Sequence, residues 1–127
     1  MIDESSTIEQ VATLVCAALD GAGISVVLSG GAAVSIYSDN EYESYDLDFV
    51  PTGLARRVDD VMESLGFEKR QRHWVHPRNP YWVEFPGGPV AIGEEVIHDF
   101  AERRSAAGVL RLLHPTECVM DRLTWFI

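Results

Sequence analysis

Apolar residues recur every three or four positions near the start of the chain: Ile8, Val11, Ala12, Leu14, Val15, Ala18 and Leu19. That spacing predicts an amphipathic helix over residues 5–22. Ser5 or Ser6 is placed to cap it, with Glu9 three residues after Ser6, and Gly21 and Gly23 close it. The period then changes. Ile24 to Leu28 is a short apolar run, rich in β-branched residues, that ends in Ser29-Gly30-Gly31 and reads as a buried strand entering a turn. Ala32 to Tyr37 reads as a helix that starts on that turn and fades at Ser38-Asp39-Asn40.

From Tyr45 to Val50 polar and apolar residues alternate, which predicts a strand with one wet face, ended by Pro51. Leu54, Val58, Val61, Met62 and Leu65 restore the helical period up to Gly66. Phe67 to Val75 and Tyr81 to Phe85 read as two strands around a turn at Pro77-Arg78-Asn79-Pro80. Beyond the turn Pro86-Gly87-Gly88-Pro89 the pattern weakens, and two short edge strands are expected near Val96–Ala101 and Val109–Leu112. Pro115, followed by Glu117, Val119, Met120, Leu123 and Phe126, predicts a last helix. It stops in Thr124-Trp125-Phe126-Ile127 without cap or polar tail, so it either docks on the core or belongs to a longer chain.

The 127 residues suit one domain spanning 1–127, and 46% hydrophobic content suits a globular one. No apolar run approaches the roughly 18 residues of a membrane span. The acidic start Met1-Ile2-Asp3-Glu4 lacks the basic opening of a secretory signal, so a cytoplasmic location is expected. Cys16 and Cys118 read as two buried, reduced thiols. The formal charge of -10 is uneven. Residues 1–55 hold nine acids and no Lys or Arg, whereas 56–127 hold eleven acids and all ten bases. Such a chain repels nucleic acid at long range, which argues against binding duplex DNA through a broad basic face.

Candidate chemistry sits where three features fall in order. The Gly30-Gly31 pair, at a strand-to-helix turn, lets backbone N–H groups and the following helix dipole approach phosphate, with Ser29 beside them. In Tyr45-Asp46-Leu47-Asp48-Phe49, alternation places Asp46 and Asp48 on one face and Leu47 and Phe49 on the other. Val83-Glu84-Phe85 repeats the theme with one outward carboxylate. If the two strands are neighbours, three carboxylates converge, a hard-oxygen set suited to Mg²⁺ or Mn²⁺. A Ser-Gly-Gly turn or an Asp-x-Asp pair alone is an ordinary surface feature; the force lies in their order and setting.

The segment VLSGGAAVSIYSDNEYESYDLDFV resembles the signature of the nucleotidyltransferase superfamily that includes DNA polymerase β. It looks most like the minimal bacterial and archaeal members, among them toxin–antitoxin-associated proteins of the AbiEii type. The resemblance covers residues 24–50, Glu84 matches the third carboxylate, and the tail from Leu113 to Leu123 is similar to the helix after the sheet. It implies an α/β (α+β) fold: a mixed, mostly antiparallel sheet with helices on one face and the metal site on the other. It also implies roles. Ser29, Gly30, Gly31 and Ser44 would bind the nucleotide; Asp46, Asp48 and Glu84 would hold metal, and Glu84 would activate the acceptor hydroxyl. An NTP would be one partner, and a protein, tRNA or small molecule the acceptor. The sequence departs at Tyr42, where relatives often carry Arg, within the acidic stretch Asp39-Asn40-Glu41-Tyr42-Glu43.

Cations must then come from elsewhere. Lys69-Arg70-Gln71-Arg72-His73 with His76 and Arg78 is the basic cluster, and Trp74 and Trp82 are its candidate stacking platforms. The alternative is an ordinary solvated strand and turn with aromatics packed between strands. His73 and His76 do not share a strand face, so a common metal is not expected. Arg103, Arg104 and Arg111 are expected to face acids of the first half. Three readings follow: a metal-dependent nucleotidyltransferase, a fold of that type that has lost catalysis and serves as a binding or regulatory module, or a coincidental motif.

Overall fold

The computed structural model describes residues 2–39, 44–52, 58–86, 91–92, 95–96 and 100–114. Helix α1 spans Ile8–Gly21 and buries Ile8, Val11, Ala12, Val15, Cys16 and Leu19 along one stripe. Its cap is Thr7, not Ser5 or Ser6. Thr7 Oγ1 accepts from Gln10 N at 3.2 Å, and Gln10 Oε1 accepts from Thr7 N at 2.8 Å, which closes a capping box. Ser6 is already used: its hydroxyl accepts from Asp3 N at 3.0 Å in the turn before the helix.

Strand β1 (Val26–Ser29) runs directly into helix α2 (Gly30–Tyr37), and β2 covers Asp46–Pro51. Helix α3 is described from Val58 to Ser64. The stretch expected as one strand over 67–75 is a hairpin instead: β3 (Glu68–Arg70) and β4 (His73–His76) pair antiparallel around a turn at Gln71-Arg72. Gln71 takes φ +57°, a left-handed conformation that neither glycine nor asparagine advertises. Strand β5 (Asn79–Glu84) starts two residues earlier than expected.

Two-residue strands β6 (Ala91–Ile92) and β7 (Glu95–Val96) form a separate small sheet. Strands β8 (Ala101–Ser105) and β9 (Gly108–Leu112) complete the main one. The expected edge strand at Val109–Leu112 is therefore an interior one. It lies between β1 and β8 because Leu110 and Leu112 are fully buried, and the charged β8 takes the edge. Leu54, Tyr42 and the last helix lie outside the described residues.

The main sheet has seven strands in the order β3-β4-β5-β2-β1-β9-β8. Pairings β2–β5 and β1–β9 are parallel and the other four antiparallel, as expected for a mixed, mostly antiparallel sheet. Register divides the side chains cleanly. Leu28 pairs with Phe49 and Leu112, and Leu47 with Val83, so these residues share one face. Helix α1 covers that face: a β-carbon on Gly108 would lie 2.8 Å from Ala17 Cβ. Each fully buried Leu or Phe there contributes about 1.5–3 kcal/mol of transfer free energy, so this face holds the fold together. No helix among the described residues is long and apolar enough to cross a membrane.

Candidate metal centre

The opposite face of the sheet carries the chemistry. Strands β2 and β5 are immediate neighbours, with Asp46 beside Trp82 and Asp48 beside Glu84. Asp46 and Asp48 are two residues apart on one strand and project together. Consequently one carboxylate oxygen from each of Asp46, Asp48 and Glu84 falls within 4.8 Å of the other two. All three residues are half-buried. Like charges placed side by side across strands repel, so the arrangement stores electrostatic cost unless a cation neutralises it.

A second observation shows that the donor set fits a cation. Asp46 Oδ1 is buried and accepts no hydrogen bond among the described residues. A buried carboxylate oxygen without a donor costs free energy that coordination would recover. Three hard oxygen donors of this spread match Mg²⁺ or Mn²⁺ better than a thiophilic metal.

Gly30 approaches this cluster. It is the first residue of α2, takes φ +69°, and a β-carbon on it would stand 3.1 Å from Asp48 Oδ2. Glycine is needed twice over, for the backbone conformation and for the clearance. Gly31 follows in the first turn, so the pair forms the start of the helix rather than a separate loop. Ser29 does not cap α2; its hydroxyl donates to Asp48 O at 3.3 Å and ties β1 to β2 beside the carboxylates. Ser44 lies at the mouth of β2, its hydroxyl 3.4 Å from Asp46 O.

The basic cluster is split by alternation. Lys69 pairs with Trp74 on the helix side, its Nζ 5.7 Å from the Trp74 ring and 4.0 Å from Asp59 Oδ2. Trp74 is buried in the core, so it offers no platform. His76 also faces the helix side, edge-on to Phe67 at 5.2 Å. Arg78 forks onto Glu4, Arg103 onto Glu9, and Arg111 bonds Asp20 at 2.8 Å, whereas Arg104 meets Glu102 of its own strand. Cys16 is buried with its Sγ 4.0 Å from Val26 O, and burial pushes its thiol pKa up; Cys118 lies outside the described residues.

On the carboxylate face lie Trp82, half-buried next to Asp46, and His73, in register with Glu84 and flanked by Arg70 on β3. His73 Nδ1 is 3.5 Å from Glu84 Oε1, and its ring is tilted 52° against Trp82 at 6.3 Å. Sequence reasoning grouped His73 with the basic run and missed this contact. The reason is a bulge: between the pairs His76–Asn79 and Val75–Trp82, β5 advances three residues while β4 advances one. Asn79 stabilises the irregularity, its Oδ1 accepting from Tyr81 N at 3.1 Å.

No protein-family model and no curated protein matches this chain. Among solved structures, it is similar to the antibiotic-resistance factor ANT(2'')-Ia, an aminoglycoside nucleotidyltransferase, with a TM-score of 0.51 at 14% identity. The alignment covers 97% of this chain and 84% of that one. Together with the seven-stranded mixed sheet and its helices, that likeness shows a nucleotidyltransferase-like α+β fold.

Proposed function

We propose that the protein is a divalent-metal-dependent nucleotidyltransferase that moves a nucleoside monophosphate from an NTP to a hydroxyl acceptor. The observation that carries this reading is the convergence of Asp46, Asp48 and Glu84 beside Gly30, with Asp46 Oδ1 left without a hydrogen-bond donor among the described residues. Asp46, Asp48 and Glu84 would hold Mg²⁺ or Mn²⁺. Bound there, the metal supplies charge neutralisation for the phosphates and for the attacking and leaving oxygens. The first-turn N–H groups of α2, at Gly30 and Gly31, bind phosphate oxygens, with Ser29 and Ser44 at the rim. Glu84 accepts the proton of the acceptor hydroxyl as that oxygen bonds to the α-phosphorus. The bond from the α-phosphorus to its bridging oxygen breaks, and pyrophosphate leaves with the electron pair.

The acceptor is a protein, a tRNA or a small molecule, and an AbiEii-type toxin–antitoxin setting is the context the sequence resemblance favours. The decisive experiment incubates the protein with each labelled NTP, Mg²⁺ or Mn²⁺ and a cell extract, with Asp46→Asn as control. Label in RNA, protein or a small molecule with the wild type alone supports the proposal and names the acceptor. Equal labelling by Asp46→Asn overturns it. No label from any NTP favours the second reading, a catalytically silent module. One observation speaks for that reading: Arg78, Arg103, Arg104 and Arg111 are engaged with carboxylates away from Gly30 and Gly31.

A further inference from the structure

Resting on the reading of Asp46, Asp48 and Glu84 as a metal site, we propose that His73 is a positioning residue that orients Glu84 through its Nδ1–H. The Glu84 side chain is 30% exposed, and among the described residues no hydrogen bond holds its carboxylate. His73 stands directly across from it on β4, with Nδ1 at 3.5 Å from Oε1. The imidazole as a whole is 44% exposed, yet Nδ1 itself is buried. Solvent therefore does not satisfy Nδ1, which makes no hydrogen bond among the described residues, and Glu84 Oε1 at 3.5 Å lies close enough for a small rotation of the ring to make one.

A lone pair on Nδ1 this close to a carboxylate oxygen would be repulsive, so the proposed tautomer carries its proton on Nδ1. Trp82 limits the ring from one side through the tilted contact at 6.3 Å. On the other side Arg70, in register with His73 on β3, is drawn to Glu68 at 3.1 Å. Holding one oxygen of Glu84 fixes where the other lies, and so fixes the third donor relative to Asp46 and Asp48. Partners behind a metal-binding carboxylate act on affinity in this way.

The test measures Mn²⁺ binding by calorimetry on the full chain, without nucleotide. The wild type is compared with His73→Ala, His73→Phe, His73→Asn and Asp46→Asn. An asparagine amide can put an N–H near the place of Nδ1, whereas phenylalanine keeps the ring without a donor. His73→Ala and His73→Phe should weaken Mn²⁺ binding by roughly tenfold or more, and His73→Asn should recover to within about threefold of wild type.

Asparagine as weak as phenylalanine overturns the donor role. Unchanged affinity in His73→Phe while Asp46→Asn loses the metal overturns the inference but leaves the metal site standing. Unchanged affinity in Asp46→Asn overturns both. A metal-free readout runs in parallel: the imidazole ¹⁵N spectrum should show the proton of neutral His73 on Nδ1, moving to Nε2 in Glu84→Ala. A proton on Nε2 in the wild type overturns the proposal whatever the metal does.

Discussion

A β-carbon at Gly30 would stand 3.1 Å from Asp48 Oδ2, so any side chain at residue 30 would crowd a candidate donor carboxylate. Its φ of +69° is equally a glycine conformation. Gly30→Ala should therefore cost about 1–2 kcal/mol from the backbone alone, measured by urea unfolding. It should also weaken Mn²⁺ binding, because the methyl group pushes on a donor carboxylate. Unaltered stability in Gly30→Ala would contradict the account of this turn.

Removing a clustered charge should have opposite effects on stability and on metal response. Asp46→Asn relieves repulsion among three carboxylates whose donor atoms lie within 4.8 Å of one another. Without metal the variant should be more stable by about 0.5–1 kcal/mol, the scale of one unfavourable cross-strand charge pair. The wild type should gain about 2.7 kcal/mol from Mn²⁺ at a hundred times its dissociation constant, and the variant should gain none of it. Thermal unfolding with and without Mn²⁺ reads both quantities. A metal-free variant less stable than wild type would refute the repulsion argument.

The helix side of the sheet has its own close approach. Gly108 takes φ +136°, and its missing β-carbon would meet Ala17 Cβ at 2.8 Å. Gly108→Ala should destabilise by about 1–3 kcal/mol through overpacking. Ala17→Gly alone should cost about 1 kcal/mol of helix propensity, but added to Gly108→Ala it should restore part of the loss. A double-mutant cycle should thus give a coupling of at least about 0.5 kcal/mol. Strict additivity would show that the two elements do not touch there.

A small acid-sensitive component is expected from the N-terminal segment. Arg78 forks onto Glu4 at 3.1 and 2.9 Å and, chiefly through that hydrogen bond, holds the Glu4 carboxyl below its ordinary 4.5. Folding thus favours the ionised form. The contribution is complete above pH 4.5 and drains away as pH falls through the lowered folded-state value. Both groups are solvated, so the effect is modest. Unfolding midpoints of Arg78→Ala and wild type should converge at the acid end and separate above pH 4.5. A gap that ignores pH would assign Arg78 a packing role instead.

The carboxylate cluster was legible because it needs only alternation and one adjacency. Asp46 and Asp48 share a face by period two, and Glu84 sits between two apolar residues that must point the other way. The adjacency of β2 and β5 is a long-range parallel pairing that no local pattern contains; there the family resemblance carried the expectation. Other misreadings have local causes. Ser6…Glu9 and Thr7…Gln10 both satisfy a capping box, and the Asp3–Ser6 turn decides between them. The turn at Gln71 carries no glycine, proline or asparagine, so a hairpin passed for one long strand. β9 looked like an edge because it is short, yet its partner β1 is reached across most of the chain.

The bulge on β5 has a consequence for how the site can be lost. Pro80 and Tyr81 are the two residues by which β5 outruns β4, and two is the period of side-chain alternation. Pairing straight through them, with no bulge, would still leave Trp74 and Val83 facing the helices, so a core judged by burial would register little change. The neighbours on the other face would differ: Gln71 in place of His73 beside Glu84. Odd-numbered slips in this hairpin are policed by the hydrophobic core, whereas even-numbered slips are visible only to the chemistry. A register slip of two residues here would therefore separate folding from function more cleanly than most point substitutions.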